Sequence, residues 1–182
     1  MAEHYWLLIL QCFYFMLPAY FANMAPVIVK KINILNLPID FNKKISNKPL
    51  FGKNKTFRGL VFGVLFAIII AYMQFIFYNN NFLSDFALTD YSNWLLLGFL
   101  MGFGAIFGDL VKSFVKRRLN YEPGKPFVPW DQTDFVIGAL IFVFPLVTLS
   151  ISKIIIIIIL SFVLHIIVNH LAFYTGVRKE KW

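Results

Sequence analysis

The residue in this chain with the clearest capacity for chemistry is Asp109, a carboxylate that lies between a long apolar run and a basic one. A charged side chain in a lipid-spanning helix costs at least roughly 2.5–3.5 kcal/mol unless it is paired or faces a polar cavity. On a helix, small residues and lysines would share one stripe with this acid. The members of that stripe are Gly98, Gly102, Ala105, Lys112 or Ser113, and Lys116. The stripe predicts a protein-lined polar pocket near one membrane surface.

Two more carboxylates follow in the segment VPWDQTDF. Asp131 and Asp134 are three residues apart, so on a helix both would project from one face. Oxygen ligands of this kind suit Mg²⁺, which prefers a few carboxylates together with water and substrate phosphates. We therefore expect Asp109, Asp131 and Asp134 to form one magnesium-binding cluster. The alternatives are that Asp131 and Asp134 cap a helix, and that Asp109 forms a structural ion pair with Lys112 or with a neighbouring helix.

Basic residues accompany these acids in two groups that could bind phosphates. Lys53, Lys55, Thr56 and Arg58 lie between two glycines, just before an apolar segment. A turn of this kind at a helix N-terminus offers free N–H groups and a favourable dipole to an anion. The second group follows Asp109 and consists of Lys112, Lys116, Arg117 and Arg118. The alternative for both groups is that they set the topology or anchor the chain to anionic headgroups.

The last apolar segment also carries polar side chains. His165 and Asn169 are four residues apart and would share one helical face, whereas His170 would point elsewhere. The five-residue spacing of the two histidines is poor for joint metal ligation. We expect Asn169 to form hydrogen bonds in the pocket, with hydrogen bonding between helices as the alternative.

The composition is that of a membrane protein. Of the 182 residues, 59% are hydrophobic and 14% are charged, and the mean hydropathy is +0.72. A chain of this length predicts a single domain. Cys12 is the one cysteine, which excludes an internal disulfide and disfavours a metal–thiolate site.

Five apolar segments are long enough to cross a bilayer, which takes about 20 residues each. They cover residues 5–29, 59–78, 92–115, 134–151 and 154–175. We expect all five to be helices, because an isolated strand in lipid leaves its backbone groups without hydrogen bonds. The predicted fold is therefore an all-α integral membrane protein with five transmembrane helices. The first segment is too long for a signal-peptide core, so we expect it to be retained as a span.

The distribution of Lys and Arg predicts the orientation. Residues 30–58 carry eight, residues 112–125 carry five and residues 178–181 carry three, while the loop 79–91 carries none. With five spans these basic segments lie on one side, so the N-terminus faces outward and the C-terminus is cytoplasmic. Asp85 and Asp90 would then be solvated acids of the outer loop. This bias accounts for the net charge of +8 without a nucleic-acid partner.

The acidic and basic residues that could carry chemistry are therefore expected to lie at the cytoplasmic face of the membrane. The sequence has no G-x-S-x-G motif and no Cys–His pair, so it gives no sign of nucleophilic catalysis by a side chain. Acids and cations together at a lipid surface favour metal-dependent chemistry on a phosphate ester. Such chemistry depends on positioning and charge neutralisation, as in phosphoryl and nucleotidyl transfer.

One motif resembles a known signature. The pattern G-D-L-x-x-S-x-x-K-R, which includes Asp109, Ser113 and Lys116, is similar to that of the membrane CTP:phosphatidate cytidylyltransferases. The signature continues to P-x-x-D-x-x-D, which is matched by Asp131 and Asp134 with a different spacing from the proline. The chain lacks the H-G-G that precedes the first Asp in bacterial and eukaryotic members, and it has Gln where they carry Arg.

Three features resemble the CDP-archaeol synthase family instead. These are D-Q-x-D-F, the pattern P-L-F-G-x-x-K-T-x-R-G in residues 49–59, and N-x-x-A-[YF]-x-x-G-[LV]-[KR]-x-x-x-W in residues 169–182. The motifs occur in the family's order, the resemblance covers essentially the whole chain, and the short five-span layout agrees with it.

The resemblance implies a reaction and roles for residues. CTP and 2,3-bis-O-geranylgeranylglyceryl phosphate would give the CDP-activated archaeal ether lipid and pyrophosphate, with Mg²⁺. Asp109 and Asp131 or Asp134 would hold the metal. Binding of the triphosphate or the lipid phosphate would fall to Lys53, Lys55, Arg58, Lys116 and Arg117. The lipid tails would lie in a groove between helices that opens to the bilayer.

Two other hypotheses stay open. The first is the same chemistry on a diacyl lipid, which the missing H-G-G disfavours. The second is a non-enzymatic transporter or anion-binding membrane protein that uses the basic pocket and turns over no CTP.

Overall fold

In the computed structural model, residues 2–122 and 125–176 are described, with side chains from Tyr5 onward. The backbone of this part forms five α-helices, two short 3₁₀ helices and one small antiparallel hairpin. The α-helices are α1 (Ala2–Ile28), α2 (Phe57–Asn79), α3 (Trp94–Arg118), α4 (Trp130–Val143) and α5 (Ile151–Tyr174). The 3₁₀ helices are Val29–Lys31 and Ser84–Phe86. The hairpin pairs β1 (Lys44–Ile45) with β2 (Lys48–Pro49).

Four stretches are long and apolar enough to cross a membrane: α1 together with the 3₁₀ turn that follows it, α2, α3 and α5. The prediction of an all-helical, multi-pass membrane protein is therefore confirmed. Helix α4 is shorter, with 14 residues. At 1.5 Å per residue it spans about 21 Å, less than the roughly 30 Å of a hydrocarbon core.

The predicted bounds of the fourth span, 134–151, differ from the helix that forms. Helix α4 begins earlier, at Trp130, and ends earlier, at Val143. Its end is set by Pro145, which has no N–H to donate to a carbonyl of the preceding turn. The chain then makes a turn, in which the N–H groups of Leu146 and Val147 both donate to the carbonyl of Val143.

Glycines let the helices approach closely on both sides of α3. Gly98 and Gly102 face α2, so this part of the stripe predicted to line a polar pocket packs against a helix instead. Gly108 and Gly138 lie between α3 and α4, where a Cβ on either would overlap a carbonyl oxygen of the opposite helix. The backbones of α3 and α4 therefore touch directly, which fixes the register of the acids they carry.

The two ends of the bundle differ in their contents. Residues 89–91 and Asn93 line a small cavity together with Leu146 and Val147, so these two connections lie at one end. Gln11, in the first half of α1, donates a hydrogen bond to the backbone carbonyl of Asp85 at that same end. The hairpin packs against the last turn of α3 at the opposite end. The acids of α3 and α4 lie at the hairpin end.

Candidate active site

The centre of the site is the ammonium group of Lys112, which contacts all three predicted carboxylates. Its Nζ lies 3.1 Å from Asp109 Oδ1, 3.1 Å from Asp131 Oδ1 and 2.8 Å from Asp134 Oδ2. Lys112 and Asp109 lie one turn apart on α3, while Asp131 and Asp134 lie in the first turns of α4. The close packing of α3 on α4 thus brings the three acids together around one cation.

Two more lysines complete the cluster. The ammonium of Lys55, from the loop before α2, pairs with Asp109 Oδ2. Lys116 Nζ lies 3.0 and 3.2 Å from the two oxygens of Asp131, and it also donates to the backbone carbonyl of Lys125 at 2.6 Å. Three cations therefore balance three anions. This balance matters because a buried charge that loses its partner is strongly destabilising.

A polar cavity of about 750 Å³ opens beside this cluster. Among the residues predicted to bind substrate or metal, those that line it are Lys53, Lys55, Lys112, Ser113, Lys116, Arg117 and Asp131. The cavity also has Asn42, Lys44 and Asn54 in its wall, which the sequence did not single out. Its size and excess of cations suit a ligand with several phosphate groups.

The loop that covers the cavity is organised by Asp40, a residue that the sequence analysis missed. Its Oδ2 accepts hydrogen bonds from the N–H groups of Phe51 (3.0 Å) and Gly52 (3.2 Å), and its Oδ1 accepts one from Asn42 (3.0 Å). Burial opposes ionisation of this carboxyl, but the backbone hydrogen bonds outweigh it and hold the pKa of Asp40 below its ordinary value. The pattern Asp-x-Asn, typical of an Asx turn, could have revealed it.

Arg118 acts on the hairpin. Its Nη1 donates to the carbonyl of Ile45 (2.7 Å), and its Nη2 donates to those of Lys48 (3.1 Å) and Pro49 (2.6 Å). In return, Lys48 Nζ donates to the carbonyl of Arg118 at 3.1 Å. We predicted Arg118 as a phosphate ligand, but its guanidinium is committed to the backbone of the loop, so we interpret it as a residue that positions the cavity wall.

Thr56 and Arg58 are likewise engaged in local structure. The hydroxyl of Thr56 accepts a hydrogen bond from Gly59 N at 3.3 Å and so caps α2. Arg58 Nη1 donates to the carbonyls of Lys30 (3.1 Å) and Ile32 (2.6 Å), which ties the end of the first span to α2. Both contacts differ from the phosphate-binding role predicted for this turn, and of the same group Lys53 and Lys55 line the cavity.

Arg117 and Asn169 have different surroundings. Arg117 lines the cavity and donates from Nη1 to the carbonyl of Tyr121 at 2.7 Å. Asn169 is buried on α5, where its Nδ2 lies 3.0 Å from His165 Nδ1. The ring of His165 is 6.3 Å from that of Phe135, the residue after Asp134, so this pair lies behind the acids of α4. The part of the C-terminal motif in residues 177–182 lies outside the described residues.

An apolar groove of about 510 Å³ meets the cluster from the membrane side. It runs between α3 and α4 and is walled chiefly by apolar and aromatic side chains, with Lys112 and Asp134 at one point of its wall. The apolar residues are Phe107, Val111, Val115, Phe127, Trp130, Ile137, Ile141 and Phe142. Lys112 therefore borders both the polar cavity and the apolar groove.

The donors of this cluster suit a hard divalent cation in their chemistry. Three carboxylates, one of them almost fully buried, already converge on a single positive charge. The carboxylate oxygens, however, lie at distances that suit an ammonium group. Within residues 2–122 and 125–176, no set of three His, Cys, Asp or Glu side chains is arranged as a metal site. The chemistry of the three acids fits a metal, provided that the lysine moves.

The structure is thus that of a helical membrane protein in which a charged cavity and an apolar groove meet at one acid–base cluster. The comparisons agree with this class. The family model described as CarS-like: CDP-archaeol synthase matches residues 5–182, and the chain belongs to this family.

Relatives and a solved structure support the assignment. The CDP-archaeol synthase of Thermococcus onnurineus is 37% identical over 175 residues, which cover 96% of this chain and 97% of that protein. The one of Methanocaldococcus jannaschii is 37% identical over 172 residues, or 93% and 94% of the two chains. A solved intramembrane enzyme for archaeal membrane lipid biosynthesis superposes with a TM-score of 0.71 at 28% identity, over 86% of this chain and 90% of that one.

Proposed function

We propose that this chain is a CTP-dependent cytidylyltransferase that acts on an isoprenoid glyceryl phosphate in the cell membrane and forms a CDP-activated archaeal ether lipid. Family membership supports the reaction. The observation that carries the assignment of the site is the junction at Lys112, where a polar cavity and an apolar groove share one acid–base cluster. A triphosphate would lie in the cavity, and the isoprenoid chains would lie in the groove without leaving the bilayer.

The transfer requires the lipid phosphate and the α-phosphorus of CTP to meet at this junction. An oxygen of the lipid phosphate attacks the α-phosphorus, the bond from that phosphorus to the bridging oxygen of the β-phosphate breaks, and pyrophosphate leaves. Lys55, Lys116 and Arg117 face the cavity and would orient the phosphates and neutralise their charge. Lys53 and Ser113 would add polar contacts at the cavity wall.

We further propose that the required metal is Mg²⁺, held by Asp109 together with Asp131 or Asp134. Bound Mg²⁺ would supply neutralisation of the charge that develops on the triphosphate. The residues of the chain do the rest: the buried position of Asp134 and the contact between α3 and α4 keep the carboxylates in place, and the groove excludes water from the lipid side.

The direct test is product formation by the purified protein. With labelled CTP and geranylgeranylated glyceryl phosphate, we expect one labelled lipid product and an equal amount of pyrophosphate. Phosphatidate in place of the isoprenoid lipid is expected to react more slowly. Equal rates with the two lipids would favour the diacyl alternative, and the absence of a labelled lipid with either would contradict the proposed function.

The orientation is the other part of the proposal. We propose that α4 and the turn after it complete a fifth crossing, so that the N-terminus faces outward and the cavity faces the cytoplasm. In a Cys12→Ser background, an impermeant maleimide added to intact cells is expected to label Asp85→Cys and to miss Lys44→Cys. Permeabilised cells provide the control, because both positions are exposed in the structure and both should then react. The reverse pattern in intact cells would overturn the orientation.

A further inference from the structure

We infer that Lys112 is an exchangeable internal counter-ion: it occupies the place between the three carboxylates in the empty enzyme, excludes free divalent cations, and moves onto a substrate phosphate when the metal arrives with the nucleotide. The inference rests on the proposed function in so far as a metal binds these acids. It assigns to one lysine the coupling between metal binding and nucleotide binding.

The first observation is that Lys112 is saturated by the acids. An ammonium group has three N–H donors, and its nitrogen lies within 3.1 Å of one oxygen from each of Asp109, Asp131 and Asp134. Its side chain is 14% exposed, so it sits largely away from water. The ammonium group of Lys112 thus occupies the position of a bound cation between the three acids, and not that of a side chain available to a ligand.

The second observation is that the three acids differ in their ion-pair partners and in their burial. Asp109 also pairs with Lys55, and Asp131 also pairs with Lys116. Asp134 is the most buried of the three, with a side chain 6% exposed, and its ion pair within the described residues is with Lys112. Removal of Lys112 would therefore leave Asp134 as an uncompensated buried anion that attracts another cation.

The third observation is the spacing of the oxygens. They lie 2.8–3.1 Å from the nitrogen, whereas Mg²⁺ binds oxygen at about 2.0–2.1 Å. The ammonium therefore holds the acids wider apart than a metal would. This wide spacing agrees with the finding that no group of acids within the described residues is arranged as a metal site. Entry of a metal requires the lysine to leave and the acids to move inward.

The fourth observation is that Lys112 borders two cavities in which its ammonium group could find a new partner. Lys112 borders the polar cavity together with Lys55, Lys116 and Arg117, and it also borders the apolar groove. Its four-carbon side chain is flexible and its ammonium is a compact charge. A triphosphate in the cavity or a lipid phosphate at the mouth of the groove would accept it. The substrate thus offers a new partner at the moment when the metal takes the old ones.

The test measures the binding of Mn²⁺ by electron paramagnetic resonance, in the absence of CTP and lipid. We expect Lys112→Met to bind Mn²⁺ about 10-fold or more tightly than the wild type, within the range typical of coupled sites. Lys112→Arg retains the positive charge and should stay close to the wild type. The matched control is Lys125→Met, which removes a lysine that is 62% exposed and pairs with Glu122.

Two outcomes would overturn the inference. One is that Lys112→Met binds Mn²⁺ no more tightly than the wild type, and the other is that Lys125→Met raises the affinity equally. If Lys112→Met does not fold, Lys112→Gln takes its place. A measurement on the wild type alone also tests the inference. The wild type should gain little thermal stability from Mg²⁺ without nucleotide, and a large gain at low concentrations would contradict the counter-ion. None of these measurements uses turnover, so they stand apart from a failure of the proposed function.

Discussion

Replacement of Asp109 or Asp131 with Asn is expected to lower CTP-dependent formation of the CDP-lipid by roughly 10²-fold or more, since we propose that these acids hold a metal that neutralises the triphosphate. Asn keeps the size of the side chain and removes its charge. Each substitution also leaves two lysines of the cluster with one ionic partner fewer. The loss should therefore fall mainly on turnover, with membrane insertion preserved.

The measurement is the rate of labelled product formation at saturating CTP, together with the amount of inserted protein. The control is Asp85→Asn, which neutralises an exposed acid at the opposite end of the bundle and should leave the rate unchanged. Near-normal turnover in both Asp109→Asn and Asp131→Asn would contradict the metal-binding role. Asp134→Asn is expected to resemble them, with a larger effect on stability because this side chain is buried.

The second large effect is expected at the cavity lysines. Neutralisation of Lys55 or Lys116 by Gln would remove the charge-assisted hydrogen bond to a phosphate that we propose for each of them, worth roughly 1.5–3 kcal/mol. This corresponds to about 10- to 150-fold in affinity or rate. Arg117→Gln should behave in the same way, because Arg117 lines the same cavity. The measurement is kcat and KM for CTP in each variant.

The matched controls are the lysines outside the cavity wall. Lys30, Lys31 and Lys43 are exposed, and their change to Gln should have little effect. Arg58→Gln is expected to reduce stability more than catalysis, since its guanidinium binds the carbonyls of Lys30 and Ile32. A uniform, small effect at all cavity and control positions would mean that the charges only set the topology.

The sequence was sufficient for the parts of the fold that depend on local pattern. Long apolar segments predict membrane helices because lipid leaves the backbone no other hydrogen-bonding partner, and four such helices form. The end of α4 was predicted too late, because hydropathy continues past Val143 while Pro145 interrupts the hydrogen bonds. A local rule about proline was available, but the apolar signal outweighed it.

The sequence indicated which residues form the candidate site, but it indicated less about how they are arranged. The spacing of Asp131 and Asp134 placed them on one face, and the stripe through Asp109 placed Lys112 beside it. That one lysine contacts all three acids depends on the close approach of α3 and α4 at Gly108 and Gly138, which no single-helix pattern contains. The role of Arg118 depends on contacts with residues about 70 positions earlier in the sequence, which no local pattern contains. The short hairpin that it binds was not predicted either.

The guanidinium of Arg118 is synthesised 70 residues after Lys48, whose carbonyl it binds. At the usual pace of translation this delay amounts to roughly 4–14 s, during which the hairpin lacks the side chain that binds its backbone carbonyls. The wall of the cavity can therefore be completed only after the last turn of α3 has been synthesised. A nascent chain that stalls before Arg118 already contains the hairpin but lacks the contacts that hold it to α3.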